Sequence, residues 1–258
     1  MEWYLYFAVI AAGFLAGFIN TLAGSGSLIT LPLLMFLGLP ATVANGTNRV
    51  AILLQNVVGV SSFKKQKVLD LRGGLILAIP AVIGAVVGAQ IAVNLNEEIM
   101  RKTIGALMVV FLVLLLVRPK RWLEGRGDAA SRRPSVLQLV TFFGIGVYGG
   151  FIQAGVGIFL LAGLVLGAGY DLVRANAVKV LIVFCFTPLA LVVFLLEGQV
   201  QWVVGLTLAL GNMSGAWVAA RMAVKRGANF VRWLLIGVVV VSAAALLGVV
   251  ELLRNLVL

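Results

Sequence analysis

The stretch Gly13-Phe-Leu-Ala-Gly-Phe-Ile-Asn-Thr-Leu-Ala-Gly-Ser-Gly-Ser27 decides the fold, because it returns in altered form as Gly146-Val-Tyr-Gly-Gly-Phe-Ile-Gln-Ala-Gly-Val-Gly-Ile158. In both copies an apolar helix carries Gly-Phe-Ile-Asn/Gln and then meets a Gly-x-Gly. The apolar segments that follow, 28–39 and 159–168, are short. At about 1.5 Å per residue they cover about 15–18 Å, against a hydrocarbon core of about 30 Å. Glycines inside apolar sequence free backbone groups, and in lipid such groups survive only against protein or a water-filled cavity. Paired interruptions in matching positions of two halves point to a transporter's binding site. The competing reading is a pair of flexible turns.

Composition fixes the class around this stretch. Of 258 residues, 62% are hydrophobic and 11% charged, and the mean hydropathy is +1.13. This is an all-α polytopic membrane protein. Apolar runs of about 20 residues without polar alternation exclude an outer-membrane barrel. Met1-Glu-Trp-Tyr4 lacks a basic region and a cleavage site, so residues 4–22 read as a retained span. Cys185 is the single cysteine, which excludes an intramolecular disulfide. With no histidine, the commonest metal ligand and near-neutral proton carrier are missing. The net charge of +11 is read as membrane orientation rather than nucleic-acid binding.

The apolar segments run 4–22, 28–39, 43–63, 73–94, 98–117, 135–154, 158–168, 172–195, 202–223 and 230–252. The polar stretch 118–134 is a cytoplasmic linker between a first transmembrane repeat, 1–117, and a second, 135–258. The two align at one spacing: Gly24 with Gly155 and Gly26 with Gly157, 131 residues apart, then Asn45 with Asn176, Asn48 with Lys179 and Gly84 with Gly215. The chain is an internal duplication of two homologous halves, each with about four full spans plus a short broken or re-entrant helix. If the short segments count as crossings, only Arg101, Lys102 and Arg254 fall on one side. All other lysines and arginines except Arg49 and Lys179 fall on the other. The positive-inside rule prefers that split, and an odd number of crossings per half makes the halves inverted repeats with both termini outward. Gly84-x-x-x-Gly88 and Gly211-x-x-x-Gly215 read as helix packing.

No acid reads as mid-span, whereas two cations do: Arg49 in Ala44-Asn-Gly-Thr-Asn-Arg49 and Lys179 in Ala175-Asn-Ala-Val-Lys179. A charge there costs about 2.5–3.5 kcal/mol on insertion scales and needs a partner. An anionic substrate is the expected one, aided by the broken helices. The competing readings are snorkelling to the interface or capping the carbonyls of a broken helix. Amides and hydroxyls gather nearby: Asn20, Ser25, Ser27, Asn45, Thr47, Asn48, Gln153 and Asn176, with Thr187 and, less directly, Gln55 and Asn56. The expected substrate-binding set joins these to Arg49, Lys179, Gly24, Gly26, Gly155 and Gly157. No Ser-His pair, metal triad or P-loop occurs, so neither an enzyme nor ATP drive is expected, and no cofactor.

With Gly17-Phe-Ile-Asn-Thr-Leu-Ala-Gly-Ser-Gly-Ser27, Ala41-Thr-Val-Ala-Asn-Gly-Thr-Asn-Arg49, Gly149-Gly-Phe-Ile-Gln-Ala-Gly-Val-Gly157 and Arg174-Ala-Asn-Ala-Val-Lys179 in this order, the chain resembles the sulfite exporter TauE/SafE family, also called toluene-sulfonate uptake permeases. The resemblance covers nearly the whole chain. It implies a secondary transporter of small sulfur-containing anions (sulfite, sulfoacetate or related organosulfonates) in the bacterial inner membrane. Its partners would be a small anion and the lipid bilayer, not nucleic acid. An anion channel with the same lining, and a membrane sensor or assembly subunit without transport, are the alternatives. Export of an anion is favoured by an inside-negative potential, by about 2.3 kcal/mol per charge per 100 mV.

Overall fold

The computed structural model describes residues 3–117 and 134–246, with the side chains of 108–117, 228, 232 and 234–246 left aside. The linker residues 118–133 and the last residues, 247–258, lie outside the described residues, and with them Arg254 and the end of the expected last span.

Nine helices carry the described chain: α1 Trp3–Ala23, α2 Ser27–Phe36, α3 Ala41–Lys65, α4 Leu71–Val93, α5 Glu97–Val117, α6 Val136–Phe151, α7 Val156–Ala162, α8 Leu172–Leu196 and α9 Trp202–Leu246. A π-helical turn, Gly163–Gly167, extends α7, and α9 kinks at Gly227. The helix starts follow local chemistry. The Asp70 carboxylate accepts from Gly73 N, Asp171 accepts from Val173 N and Arg174 N, and Ser135 with Gln138 forms a capping box. The chain turns at left-handed positions that recur 131 residues apart: Gly24 and Gly155, Gly38 and Gly169, Lys67 and Gly198.

Glycine seams set the packing and give the helix directions. Gly13 and Gly17 of α1 abut Leu208 and Asn212 of α9, and Gly211 and Gly215 abut Phe14 and Phe18 in return. Gly84 and Gly88 of α4 meet Val147 and Phe151 of α6, while Gly146 and Gly150 meet Ala81 and Ala85. Numbers rise together in both seams, so α1 runs parallel to α9 and α4 parallel to α6. Small residues let these backbones approach closely enough to gain dispersion contacts that lipid does not replace. Each half thus packs its first helix on the fourth helix of the other. Between the seams, Gly46 of α3 touches the backbone of Gln199 just past α8, and Gly59 touches Val180 near its start. Helices α3 and α8 are therefore antiparallel.

The short segments fold back rather than continue. Gly26 at the start of α2 lies against Ala16 and Asn20 of α1, and Leu34 near its end shares a core cluster with Val9. Likewise Val156 of α7 packs on Gly149, while Gly163 faces Phe142 and Ile145. Both are helical hairpins, in keeping with a short broken or re-entrant helix in each half rather than with a separate crossing. The hairpin leaves the sidedness of the charged loops unchanged, since two opposite passes and one return give the same parity. Gln66 Nε2 donates to Ala220 O and Tyr170 Oη to Asp70 Oδ2. These ties gather Lys64, Lys65, Lys67, Arg72, Arg174, Arg221, Lys225 and Arg226 at one end. At the opposite end Glu97 of α5 accepts from Ala41 N at 2.6 Å and Thr42 N at 3.3 Å, bringing Arg101 and Lys102 there with Glu98.

Among the described residues four helices are long and apolar enough to cross a membrane: α1, α4, α8 and Trp202–Gly227 of α9. Of the other expected full spans, much of α5 and the end of α9 lie outside the described side chains. Helix α3 has the length, with 25 residues, but it carries the polar run Asn45 to Asn56, and α6 has only 16 residues.

Candidate functional site

Helix α3 is polar where a membrane helix is usually apolar, and it is sheltered by its neighbours. Asn45, Thr47, Asn48, Arg49, Gln55 and Asn56 are all buried, Arg49 with no exposed surface. Lys179 on α8 is 2% exposed. Neither cation snorkels to an interface.

Both cations grip the end of a helix from the opposite half. Arg49 Nη1 donates to Gly149 O at 3.1 Å and to Gln153 Oε1 at 3.4 Å; Nη2 donates to Gly150 O at 2.5 Å and Phe151 O at 3.5 Å. Asn45 Nδ2 adds a bond to Phe151 O at 2.8 Å, and the Phe194 ring lies 4.6 Å from the guanidinium carbon. These carbonyls close α6, where no further turn supplies donors. Lys179 Nζ donates to Asn20 O at 3.0 Å, Thr21 O at 2.8 Å and Asn176 Oδ1 at 2.8 Å, closing α1 in the same way. Carbonyl capping, one of the two competing readings, therefore holds for both residues, and each cation already has protein partners. A helix end carries only roughly half an elementary negative charge, so each full positive charge remains about half uncompensated.

The two breaks touch. Gly24 and Gly155 are left-handed, at φ 77° and 72°, and a Cβ on Gly24 would strike the Gly157 backbone. Beside this junction lies a small cavity lined by Asn20, Gly24, Asn56, Gln153, Val156, Gly157, Lys179, Val180 and Val183, its volume about that of one water. Asn20, Gly24, Gln153, Gly157 and Lys179 thus come together as expected, and Asn56 joins them. Arg49 reaches the cavity only through Gln153, whose Nε2 donates to Thr187 Oγ1 at 3.2 Å.

The other expected residues surround this centre. Asn48 accepts from Thr30 Oγ1 at 2.7 Å and donates to Ser27 Oγ at 3.0 Å, tying α2 to α3. Ser25 is buried in the break, Gly26 packs on α1, and Gly155 precedes α7. Thr47 turns away, accepting from Gln201 N at 2.9 Å. Asn212 of α9 was not anticipated: with Asn20 it donates to Gln55 Oε1, both at 3.3 Å. A lone amide within an apolar span is the signal that would have found it. Five buried polar atoms near the site, Thr21 Oγ1, Asn45 Oδ1, Arg49 Nε, Asn176 Nδ2 and Asn212 Oδ1, have no hydrogen-bond partner. Among the described residues, no three His, Cys, Asp or Glu side chains come together to hold a metal.

Comparison with known proteins agrees with this architecture. The profile of the family described as "Sulfite exporter TauE/SafE" matches residues 9–246. A "Probable membrane transporter protein ORF9" of a Sinorhizobium species is 31% identical, over 96% of this chain and 94% of its own length. Proteins of Haemophilus influenzae ("Probable membrane transporter protein") and Escherichia coli ("Probable membrane transporter protein YfcA") are each 28% identical, over 87% and 90% of this chain and 87% and 86% of theirs. No solved structure matches. A multi-pass helical chain with paired helix breaks, matched through nearly its whole length by that profile, belongs to the sulfite exporter TauE/SafE family of membrane transporters.

Proposed function

We propose that this transporter carries small sulfur-containing anions, sulfite or an organosulfonate such as sulfoacetate, outward across the bacterial inner membrane by alternating access. The observation that carries the reading is the meeting of two helix breaks beside a small cavity lined by amides and Lys179, with two buried cations and, among the described residues, no carboxylate bonded to either. Helix ends offset each charge by roughly half, and an oxyanion supplies the remainder. Amides from Asn20, Asn56 and Gln153 can donate to its oxygens and let go again.

Alternating access fits two halves related by inversion. Helices α1 and α3 run one way while α6 and α8, their counterparts 131 residues on, run the other. Lys64, Lys65, Lys67, Arg72, Arg174, Arg221, Lys225 and Arg226 then face the cytoplasm, in keeping with the positive-inside rule. A cavity of about one water favours an occluded carrier over an open channel. The inside-negative potential drives a monoanion outward by about 2.3 kcal/mol per 100 mV without a proton carrier.

The test is a thermal-shift series on purified protein with sulfite, thiosulfate, sulfoacetate, taurine, sulfate and acetate, followed by flux from loaded proteoliposomes. A ligand of the native state raises the melting temperature. Stabilisation by sulfite or a sulfonate, with matching flux, is expected. Equal indifference to all six, or flux of none, overturns the reading.

A further inference from the structure

The two cations look like twins in sequence and are unlike in place. Arg49 is committed to α6: its two terminal nitrogens serve three carbonyls and an amide oxygen, Phe194 covers it, and its one unpartnered donor, Nε, is buried away from the cavity lining. Lys179 lines the cavity itself. Its ammonium has three donors. All three are taken, by Asn20 O, Thr21 O and Asn176 Oδ1. An anion entering this cavity finds a charge but no free N–H on it. The space is also too small for any oxyanion while the end of α1 stays where it is. Binding therefore requires Lys179 to let go of α1.

We propose that Lys179 is a substrate-operated latch: the incoming anion takes the ammonium from the last carbonyls of α1, and the α1–α2 hairpin is released as the anion is seated. Arg49 is the fixed counterpart that keeps α6 in place throughout. This rests on the reading that the protein carries an anion. It adds which cation touches the cargo and which movement the cargo causes. The neighbours of Lys179 agree with such an exchange. Asn20 and Thr21 from α1, Asn56 from α3, Gln153 before α7 and Asn176 from α8 are all neutral, so no carboxylate competes with the anion for the ammonium. Asn176 stays on α8 with Lys179 and keeps one acceptor on the ammonium after the hairpin leaves. On release the carbonyl of Asn20 keeps the N–H of Gly24, at 2.8 Å, while that of Thr21 gives up its Lys179 donor, so the last turn of α1 loosens toward the break.

Hydrogen exchange at residues 20–30, in detergent or nanodiscs, reads the latch directly. Wild type is compared without anion, with sulfite, with sulfoacetate, and with sodium chloride at equal ionic strength. Faster exchange at 20–30 with sulfite or sulfoacetate, and unchanged exchange at 146–157, is expected. Lys179→Met should exchange fast at 20–30 without any anion and gain nothing from it. Should that variant fail to fold, Asn176→Asp serves instead. A carboxylate beside the ammonium holds it permanently, so sulfite affinity should fall at least tenfold with the fold intact and the hairpin protected. If sulfite or sulfoacetate raises the melting temperature while exchange at 20–30 stays level or slows, the latch is wrong and anion transport survives. Full sulfite affinity in Asn176→Asp likewise removes Lys179 as ligand. If neither anion shifts melting in wild type, the anion reading itself falls, and the latch with it.

Discussion

The break at Gly24–Gly26 and the break at Gly155–Gly157 use one backbone device and are held in different ways. Both open with a left-handed glycine, both end a helix whose last carbonyls accept from a buried cation, and both fold the chain back along the helix just completed. The second is held by arginine, asparagine and an aromatic ring. The first is held by a lysine that also lines the cavity. A planar guanidinium serves several carbonyls at once and resists exchange, whereas an ammonium is a compact point charge on a flexible stem. Two similar openings are thus closed by different cations, and the latch proposed above makes the arginine end the fixed one and the lysine end the movable one.

The harshest way to break the comparison is at the point where the breaks meet. Gly24→Ala places a Cβ in a left-handed residue, worth about 1–2 kcal/mol of strain, and drives it into the Gly157 backbone. Loss of monodisperse protein on size-exclusion chromatography is expected. Gly167→Ala, where a Cβ meets open space, should elute and melt like wild type. Next in size is the contrast between cations. Arg49→Met orphans carbonyls at about 1–3 kcal/mol each, roughly 3–5 kcal/mol in all. Lys179→Met also strips two carbonyls, but beside a cavity that solvent can reach on release, so roughly half that loss is expected. Melting temperatures that fall equally in the two variants would contradict the division into fixed and movable holds.

Much of this pairing is legible in the sequence. Left-handed turns favour glycine, so Gly24 with Gly155 and Gly38 with Gly169 announce themselves at one spacing. The third pair does not, because Lys67 adopts the same conformation without a glycine to mark it. Buried cations are legible as anomalies in apolar runs, yet their partners are not. Backbone carbonyls have no letter of their own, and Arg49 meets Gly150 only because α3 and α6 come from opposite halves. Thr47 looks like a site residue by its place beside Asn45 and Asn48, but helical periodicity turns it to α9. Asn212 is harder to read, because it stands in an apolar run with no cation beside it and meets Gln55 only through the packing of α9 on α3. The return of α2 along α1 follows from Gly26 packing on Ala16, a tertiary contact that length alone does not announce.

The mildest test compares ties at the two ends of the molecule, where halves also cross. Thr47 of the first half accepts from Gln201 N at the start of α9. Tyr170 of the second half donates to Asp70, the cap of α4, at 2.7 Å. Each is worth about 1 kcal/mol, so Thr47→Val and Tyr170→Phe should lower stability by similar small amounts near neutral pH. They part at high pH. Burial first, and then the hydrogen bond to Asp70, raises the Tyr170 phenol above its ordinary value of about 10. A group with a raised folded-state pKa contributes fully below its unfolded value and loses that contribution as pH climbs through the folded one. Wild type and Thr47→Val should therefore both lose stability to this tyrosine as pH rises above about 10, whereas Tyr170→Phe lacks the term and should fall less steeply. Melting curves between about pH 8 and 11 decide it, with the titrating lysines common to all three proteins. Parallel curves for Tyr170→Phe and wild type would mean that the phenol is free of Asp70, and that the start of α4 is held by its own cap alone.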